Sequence, residues 1–318
     1  MSKQSGLGDN LYFNGYDLSG DVGSLSKIAG SVALLDVTPI NVKAFVRIGG
    51  QRTGEMSFAS FFNPTAGQEH TALSGQPNTD QQIMYGRGTT LGAPAACLVG
   101  KQLTYNPTRD PKGMLTFAVD NQSNGFGLEW GNLLTAGLRT DTAATNGAGL
   151  DQAGGLVTPA VPASNTPQTN ASSLPVTVVI TGGTMTAVVI NGVTVGAGAG
   201  TYTLPGGGTI TLTYTVAPTW TWTAVTAFGA QAYLQVTAFT GTDVTVTVQD
   251  SADGASFANV TGLSFTATTA AHTTQRAVTS NAATIRRYVR AVTTTSGGFT
   301  SATFAVALVR NSVAGQVF

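Results

Sequence analysis

Alternation with a two-residue period constrains this chain more than any other feature. In TITLTYTV, Ile210, Leu212, Tyr214 and Val216 take turns with threonines, and in VTVTVQD, Val244, Val246 and Val248 take turns with Thr and Gln. In ATFAVALVR, Phe304, Val306 and Leu308 take turns with Ala305, Ala307 and Val309. Successive side chains of a strand point to opposite faces, whereas a helix would scatter such a pattern around its surface. The same period runs from Glu55 to Phe62, ahead of Pro64. There Met56, Phe58, Ser60 and Phe62 offer a face to a core, and Glu55, Ser57, Ala59 and Phe61 a partly wet face, so this stretch reads as a central strand. Further strands are expected at 82–85, 96–105 and 114–121, and in AYLQVTAF and TIRRYVRAV. Asn191-Gly192, between 186–190 and 193–195, is a strong hairpin signal, and turns are expected at 206–208 and at Asp253-Gly254. One stretch reads differently: Leu34, Leu35, Val37 and Ile40 surround the Thr38-Pro39 break, and a short helix is expected within 31–48.

Composition matters here for what it excludes. The 15 basic side chains balance the 15 acidic ones in a chain of 318 residues, so the surplus of Lys and Arg that avid binding to nucleic acid or to an anionic membrane needs is missing. Its 40 glycines, with Thr, Ala and Val filling the second half, favour strands and tight turns. A single cysteine, Cys97, excludes an internal disulfide framework. The opening MSKQSGLGDN lacks the basic and apolar regions of a secretory signal, so synthesis in a cytoplasm is expected. No apolar run approaches the roughly 20 residues of a spanning helix, and a soluble or self-assembled protein is expected.

Charge also divides the chain. All five lysines lie at or before Lys112, and no Asp, Glu, Lys or Arg occurs between Asp151 and Asp243. The division expected is a β domain over 1–150, a Pro/Ala/Thr-rich linker over 151–175, a small β module inserted at 176–218, and a jelly-roll-like β-sandwich over 219–318. The polar segments 63–80 and 105–113 are too long for plain connectors, and partners are expected on them.

The side chains that carry chemistry are few. His70 and His272 fall in different parts of the chain without ligands at metal spacing, so they read as loop histidines, and no metal or cofactor site is expected. Cys97, in AACLVG, reads as a small core residue. Gly86, Gly88 and Gly92 miss the dinucleotide spacing and read as a turn. Glu55, Asp120 and Glu129 lie on or beside strands, where solvated strand-face acids are a simpler reading than a glycosidase pair. Arg286, Arg287 and Arg290 around Tyr288 read as a solvent-facing or inter-subunit strand edge. Trp220, Trp222 and Tyr202 suit either packing or stacking on sugars, which keeps a carbohydrate-binding or adhesion module open as a second class. No residue is assigned a catalytic role, and an enzyme is not expected.

Whole segments carry a resemblance. GYDLSGDVGSLSKI, DVTPINVKAFVRIGGQRTGEMSFASFFNP, RGTTLGAPAACLVGKQLTYNPTRDPKGMLTFAVDNQSNGFGLEWG and LLTAGLRTDTAATNGAG resemble the major tail proteins, or tail tube proteins, of bacteriophages with long non-contractile tails. The run from Phe228 to Asn311 does so too. The resemblance implies a mostly β chain, with a tail-tube-like sandwich or barrel whose sheets join around a ring. Rings, usually hexameric, then stack into a hollow tube. A trimer whose two halves alternate as a pseudo-hexamer also suits a two-part β chain. The implied partners are further copies of the chain, a tape-measure protein, other tail proteins and double-stranded DNA in transient passage, with no membrane. The implied place is the virion tail, assembled in the host cytoplasm. A near-neutral wall suits a conduit along which DNA slides without being held.

Overall fold

The computed structural model describes residues 5–225 and 227–311. Its first part begins with a tight hairpin, β1 (Asn10–Phe13) and β2 (Tyr16–Asp17), turned by Asn14-Gly15. The next two strands, β3 (Val22–Asp36) and β4 (Arg47–Phe61), pair along most of their length, from Val22↔Ser60 to Asp36↔Arg47. The helix expected within 31–48 is therefore absent. Pro39 blocks a continuous helix, Gly49 and Gly50 weaken one further, and a paired strand supplies hydrogen-bond partners to the β-branched and Leu residues instead. Beyond these lie α1 (Glu69–Leu73), β5 (Gln81–Gly86), β6 (Pro94–Gln102), β7 (Asn106–Arg109), β8 (Leu115–Ser123), β9 (Glu129–Leu133) and β10 (Arg139–Asp141). Met56, Phe58 and Ser60 are buried as the alternation required, with Phe58 edge-on to Phe13. Phe62, assigned to the same face, lies past the strand end and is partly exposed beside His70 and Phe117.

After the short β11 (Leu150–Asp151), the charge-free tract carries β12 (Pro167–Thr169), β13 (Val176–Thr181), β14 (Thr184–Ile190), β15 (Val193–Gly196), β16 (Gly200–Leu204), β17 (Thr209–Val216) and β18 (Thr219–Ala224). Two sheets, β12-β17-β14-β15 and β16-β13-β18, enclose a core of their own that includes Val176, Val178, Ile180, Leu212, Trp220 and Trp222. The hairpin at Asn191-Gly192 joins β14 to β15. Residues of the Pro-rich stretch lie along this core: the Pro159 carbonyl accepts the Trp220 indole N–H at 2.8 Å, and the Pro162 carbonyl accepts the Tyr214 hydroxyl at 2.6 Å.

The last part holds β19 (Ala227–Phe228), β20 (Ala230–Thr240), β21 (Val244–Ser251), β22 (Ala258–Ser264), β23 (Thr273–Val278), β24 (Thr284–Ile285), β25 (Tyr288–Thr295) and β26 (Ser301–Arg310). Its strands do not form an isolated sandwich. A 13-stranded sheet runs β2-β1-β5-β6-β9-β26-β20-β23, with β3, β4, β7, β8 and β10 branching from it, so both outer parts of the chain share it. In β26 the face of Phe304, Val306 and Leu308 packs against β21 and β25 in one core, and the face of Ala305, Ala307 and Val309 packs against β1, β5 and β6 in another. Large residues on one face and alanines on the other let two cores share one strand.

The sheet curls until its first turn meets its far end. The Gln235 amide accepts the Gly15 N–H at 2.6 Å and donates to the Gln82 carbonyl at 2.9 Å, and His272 donates from Nδ1 to the Gly15 carbonyl at 3.0 Å while stacking on Tyr16. A Cβ at Gly15 would sit 2.5 Å from His272 Cα, so this closure needs glycine. The result is a mostly β protein built from a curled half-barrel and further packed sheets.

Candidate assembly interface

The most exposed apolar surface follows directly from the β3–β4 pairing. From Glu55 onward β4 is held on its other side by β8, beginning at Glu55↔Gln122. Before Gly54 it has only β3, so 31–53 leaves the body as a two-stranded arm. The departure point is narrow: Gly30 faces Gly54 across the ladder, and a Cβ at Gly54 would lie 2.3 Å from the Leu128 nitrogen. Glycine is the residue that lets β4 pass beneath that backbone.

Both faces of the arm carry exposed apolar side chains. Leu35 and Ile48 are cross-strand partners on one face, while Val32 and Leu34 flank Gly49 on the other. The tip is tied by the Val37 N–H to the Val46 carbonyl at 2.9 Å and by Asp36, whose carboxylate accepts the Thr38 N–H and hydroxyl. It presents Ile40, which is fully exposed, and Phe45, 72% exposed with the Arg47 guanidinium 4.6 Å from its ring centre. An isolated two-stranded ribbon is marginal in water, and a contiguous apolar surface on a soluble chain marks a contact site.

Clefts flank the arm's base. One, of about 600 Å³, lies between Gln51, Arg52 and Thr53 and the loop carrying Phe126. Another, of about 270 Å³, is walled by Val32, Leu128 and the half-exposed Trp130. Glu129 reaches the larger cleft from a buried network: it accepts from the Gln231 amide at 2.9 Å, from the Tyr233 hydroxyl, and at 3.5 Å from Arg276, which lies over the Phe126 ring. Burial, then the Glu129 charge, push the Tyr233 phenol far above its ordinary value, so it stays a neutral donor. The network braces β9 against β20 and β23. Among the described residues β7 is wholly exposed and pairs only with β8.

Other candidates find partners within the chain. Glu55 meets Lys27 at 2.6 Å, and Asp120 accepts the Thr104 hydroxyl at 3.1 Å; they sit two rungs apart on the β4–β8 ladder, and Glu129 lies on β9. His70 shares a hydrogen bond with the Tyr105 hydroxyl at 2.9 Å. Cys97 is fully buried, and burial raises its thiol well above the ordinary range. Gly88 and Gly92 turn the chain between β5 and β6. Among the described residues no cluster of His, Cys, Asp and Glu is placed to hold a metal, and no helix is long and apolar enough to cross a membrane.

These contacts bear on three expectations. The arginines do not form a free edge, because β25 lies between β11 and β21; Arg287 is bidentate to Asp151 at 2.8 Å, Arg286 binds Asp250, and Arg290 binds Gln249 over the Phe257 ring. Segment 63–80 is tied to the body at α1, where Leu73 is buried in the core and Glu69 accepts the Ser60 hydroxyl at 3.0 Å, while 74–80 are exposed. Trp220 and Trp222 meet edge to face inside the module and offer no open stacking surface, while the Tyr202 hydroxyl donates to the Gly198 carbonyl.

No protein-family model matches the chain, and no curated protein sequence matches it. Among solved structures, the chain is similar to the SPP1 Dit (gp 19.1) protein, described as a paradigm of hub adsorption apparatus in phages infecting Gram-positive bacteria. That likeness covers 94% of this chain and 98% of the other, at 11% identity and a TM-score of 0.28. It is also similar to a chain of the phage P2 baseplate in its activated conformation with Ca, over 94% and 97% of the two chains, at 8% identity and a TM-score of 0.24. Scores of this size leave the assignment to the chain's own residues and geometry.

Proposed function

We propose that this chain is a structural protein of a phage tail, which self-assembles into stacked rings around a hollow tube for genome passage. The observation that carries the reading is the arm: a two-stranded ribbon that exposes apolar side chains on both faces and at its tip needs cover from more than one side. A second copy supplies that cover when rings stack, and a head-to-tail contact of this kind builds rings and filaments rather than closed dimers. The exposed edge strand β7 adds main-chain donors and acceptors that a neighbour can pair. The segment resemblance supports the tail assignment, and the balanced charge suits a wall that does not retain DNA. The reading assigns the chain no catalytic step.

Sedimentation velocity of the wild type and of a variant carrying Ile40→Ser, Phe45→Ser and Ile48→Ser tests it. Large assemblies are expected from the wild type and a folded monomer from the variant. Equal sedimentation of the two, whether both assemble or neither does, would remove the arm from the account.

A further inference from the structure

Charge without a partner collects in two places. Among the described residues, the Lys and Arg side chains with neither a hydrogen bond nor an ion pair are Lys43, Arg47 and Arg52 on the arm, and Arg109 and Lys112 where β7 turns into β8. The others each hold a carboxylate or an amide of this chain. Each place also has an acid that is only half used. Asp36 takes the Thr38 N–H and hydroxyl on Oδ1, and Asp110 takes the Lys112 and Met114 N–H groups on Oδ1, at 2.9 and 2.7 Å. The Oδ2 of each accepts nothing among these residues.

Uncovered apolar surface lies at the same two places. Beside the β7–β8 turn, Phe61, Phe62 and Met114 are 44%, 40% and 52% exposed, and the Phe62 N–H donates to the Leu115 carbonyl, which sets the end of β4 next to Met114. The exposed strand β7 borders them. The far end of β4 therefore matches the arm at its beginning: apolar side chains, an open strand, two unpaired cations and one half-used acid. The two cannot satisfy each other within one chain, because β4 from Arg47 to Phe61 is about 45 Å long at roughly 3.3 Å per residue.

We propose that the end of β4 with the β7–β8 turn is the surface that receives the arm tip of a second copy. Ile40 and Phe45 cover Phe61, Phe62 and Met114, while Asp36 faces Arg109 and Lys112, and Asp110 faces Lys43 and Arg47. The apolar part supplies the contact and the crossed charges fix its register. Each copy offers one arm and receives another, so the contact is head-to-tail and repeats instead of closing on a pair. The inference rests on the arm reading above and adds the surface on which the arm lands.

Mixing two variants of the full chain tests it. One is the arm variant, Ile40→Ser, Phe45→Ser, Ile48→Ser; the other carries Arg109→Glu, Lys112→Glu and Met114→Ser, all exposed positions, and keeps its arm. By sedimentation at a concentration where the wild type assembles, each alone is expected as a monomer, and their mixture as a one-to-one dimer that grows no further. A β7–β8 variant that assembles like the wild type overturns this surface and leaves the arm reading standing, as do two monomers that ignore each other when mixed. A wild type that does not assemble removes both. Cysteine scanning guards against a folding defect, since the native Cys97 is fully buried. Chains carrying only Ile40→Cys, mixed with chains carrying only Met114→Cys, should be joined in pairs by a short bismaleimide. Wild-type-like assembly of that mixture without linked pairs overturns the proposal.

Discussion

Phe58 shows how far a single residue can be argued. It is 2% exposed, edge-on to Phe13, and surrounded by Leu11, Ile83 and Leu98. Phe58→Ala should cost about 3–5 kcal/mol, because the lost transfer energy is joined by that of the cavity. Denaturant unfolding of a monomeric preparation checks this, and an unchanged midpoint would contradict it. Asp151 carries a pH prediction. Its bonds to Arg287, with the Ala153 and Gly155 N–H groups, hold its carboxyl below the usual range. A depressed carboxylate contributes stability that is present above the unfolded value near 3.9 and is lost as pH falls through the lower folded value. Asp151→Asn should therefore lower stability at neutral pH by about 1 kcal/mol, the upper range for a partly exposed pair, and the difference from wild type should shrink below about pH 4. Urea titrations of both proteins at pH 7 and pH 3 decide it; a difference that is the same at both pH values would assign the stabilisation to something other than the charge.

At the scale of elements, legibility followed locality. Strands whose faces differ, such as β17 and β21, announce themselves by alternation, and the β14–β15 hairpin by Asn-Gly, because each signal lies within a few residues. The arm was misread for the same reason. Val32, Leu34, Leu35 and Ile48 are apolar on both faces, so no period of two survives in them, and only the pairing with β4 reveals a strand. The available clue was Gly30 and Gly54, small residues that admit Leu128 where the arm departs. Gly54→Ala puts a Cβ against the Leu128 backbone and should destabilise by about 1–3 kcal/mol as the base shifts. Thermal melts of the arm-substituted monomer with and without this change check it, and a silent Gly54→Ala would show that the arm leaves the body more loosely than described. The partners of Arg286, Arg287 and Arg290 were illegible in the sequence, because Asp250, Asp151 and Gln249 are distant along the chain.

For the whole molecule, the alternation in ATFAVALVR established a strand but not that β26 would join two cores, since β9 and β10 reach it from more than 160 residues away in sequence. Assembly built on that shared sheet should not need the separate core of the module. Replacing 156–224 with a short Gly/Ser linker is expected to leave assembly intact, as seen by sedimentation; a folded product that stays monomeric would tie the module to the interface. The central claim is that copies of this chain join through the arm, and electron microscopy of the purified full chain at rising concentration, beside the Ile40→Ser, Phe45→Ser, Ile48→Ser variant, tests it most directly. The account predicts rings stacking into hollow tubes for the wild type and dispersed monomers for the variant; dispersed particles in both, or the same tubes in both, would contradict it.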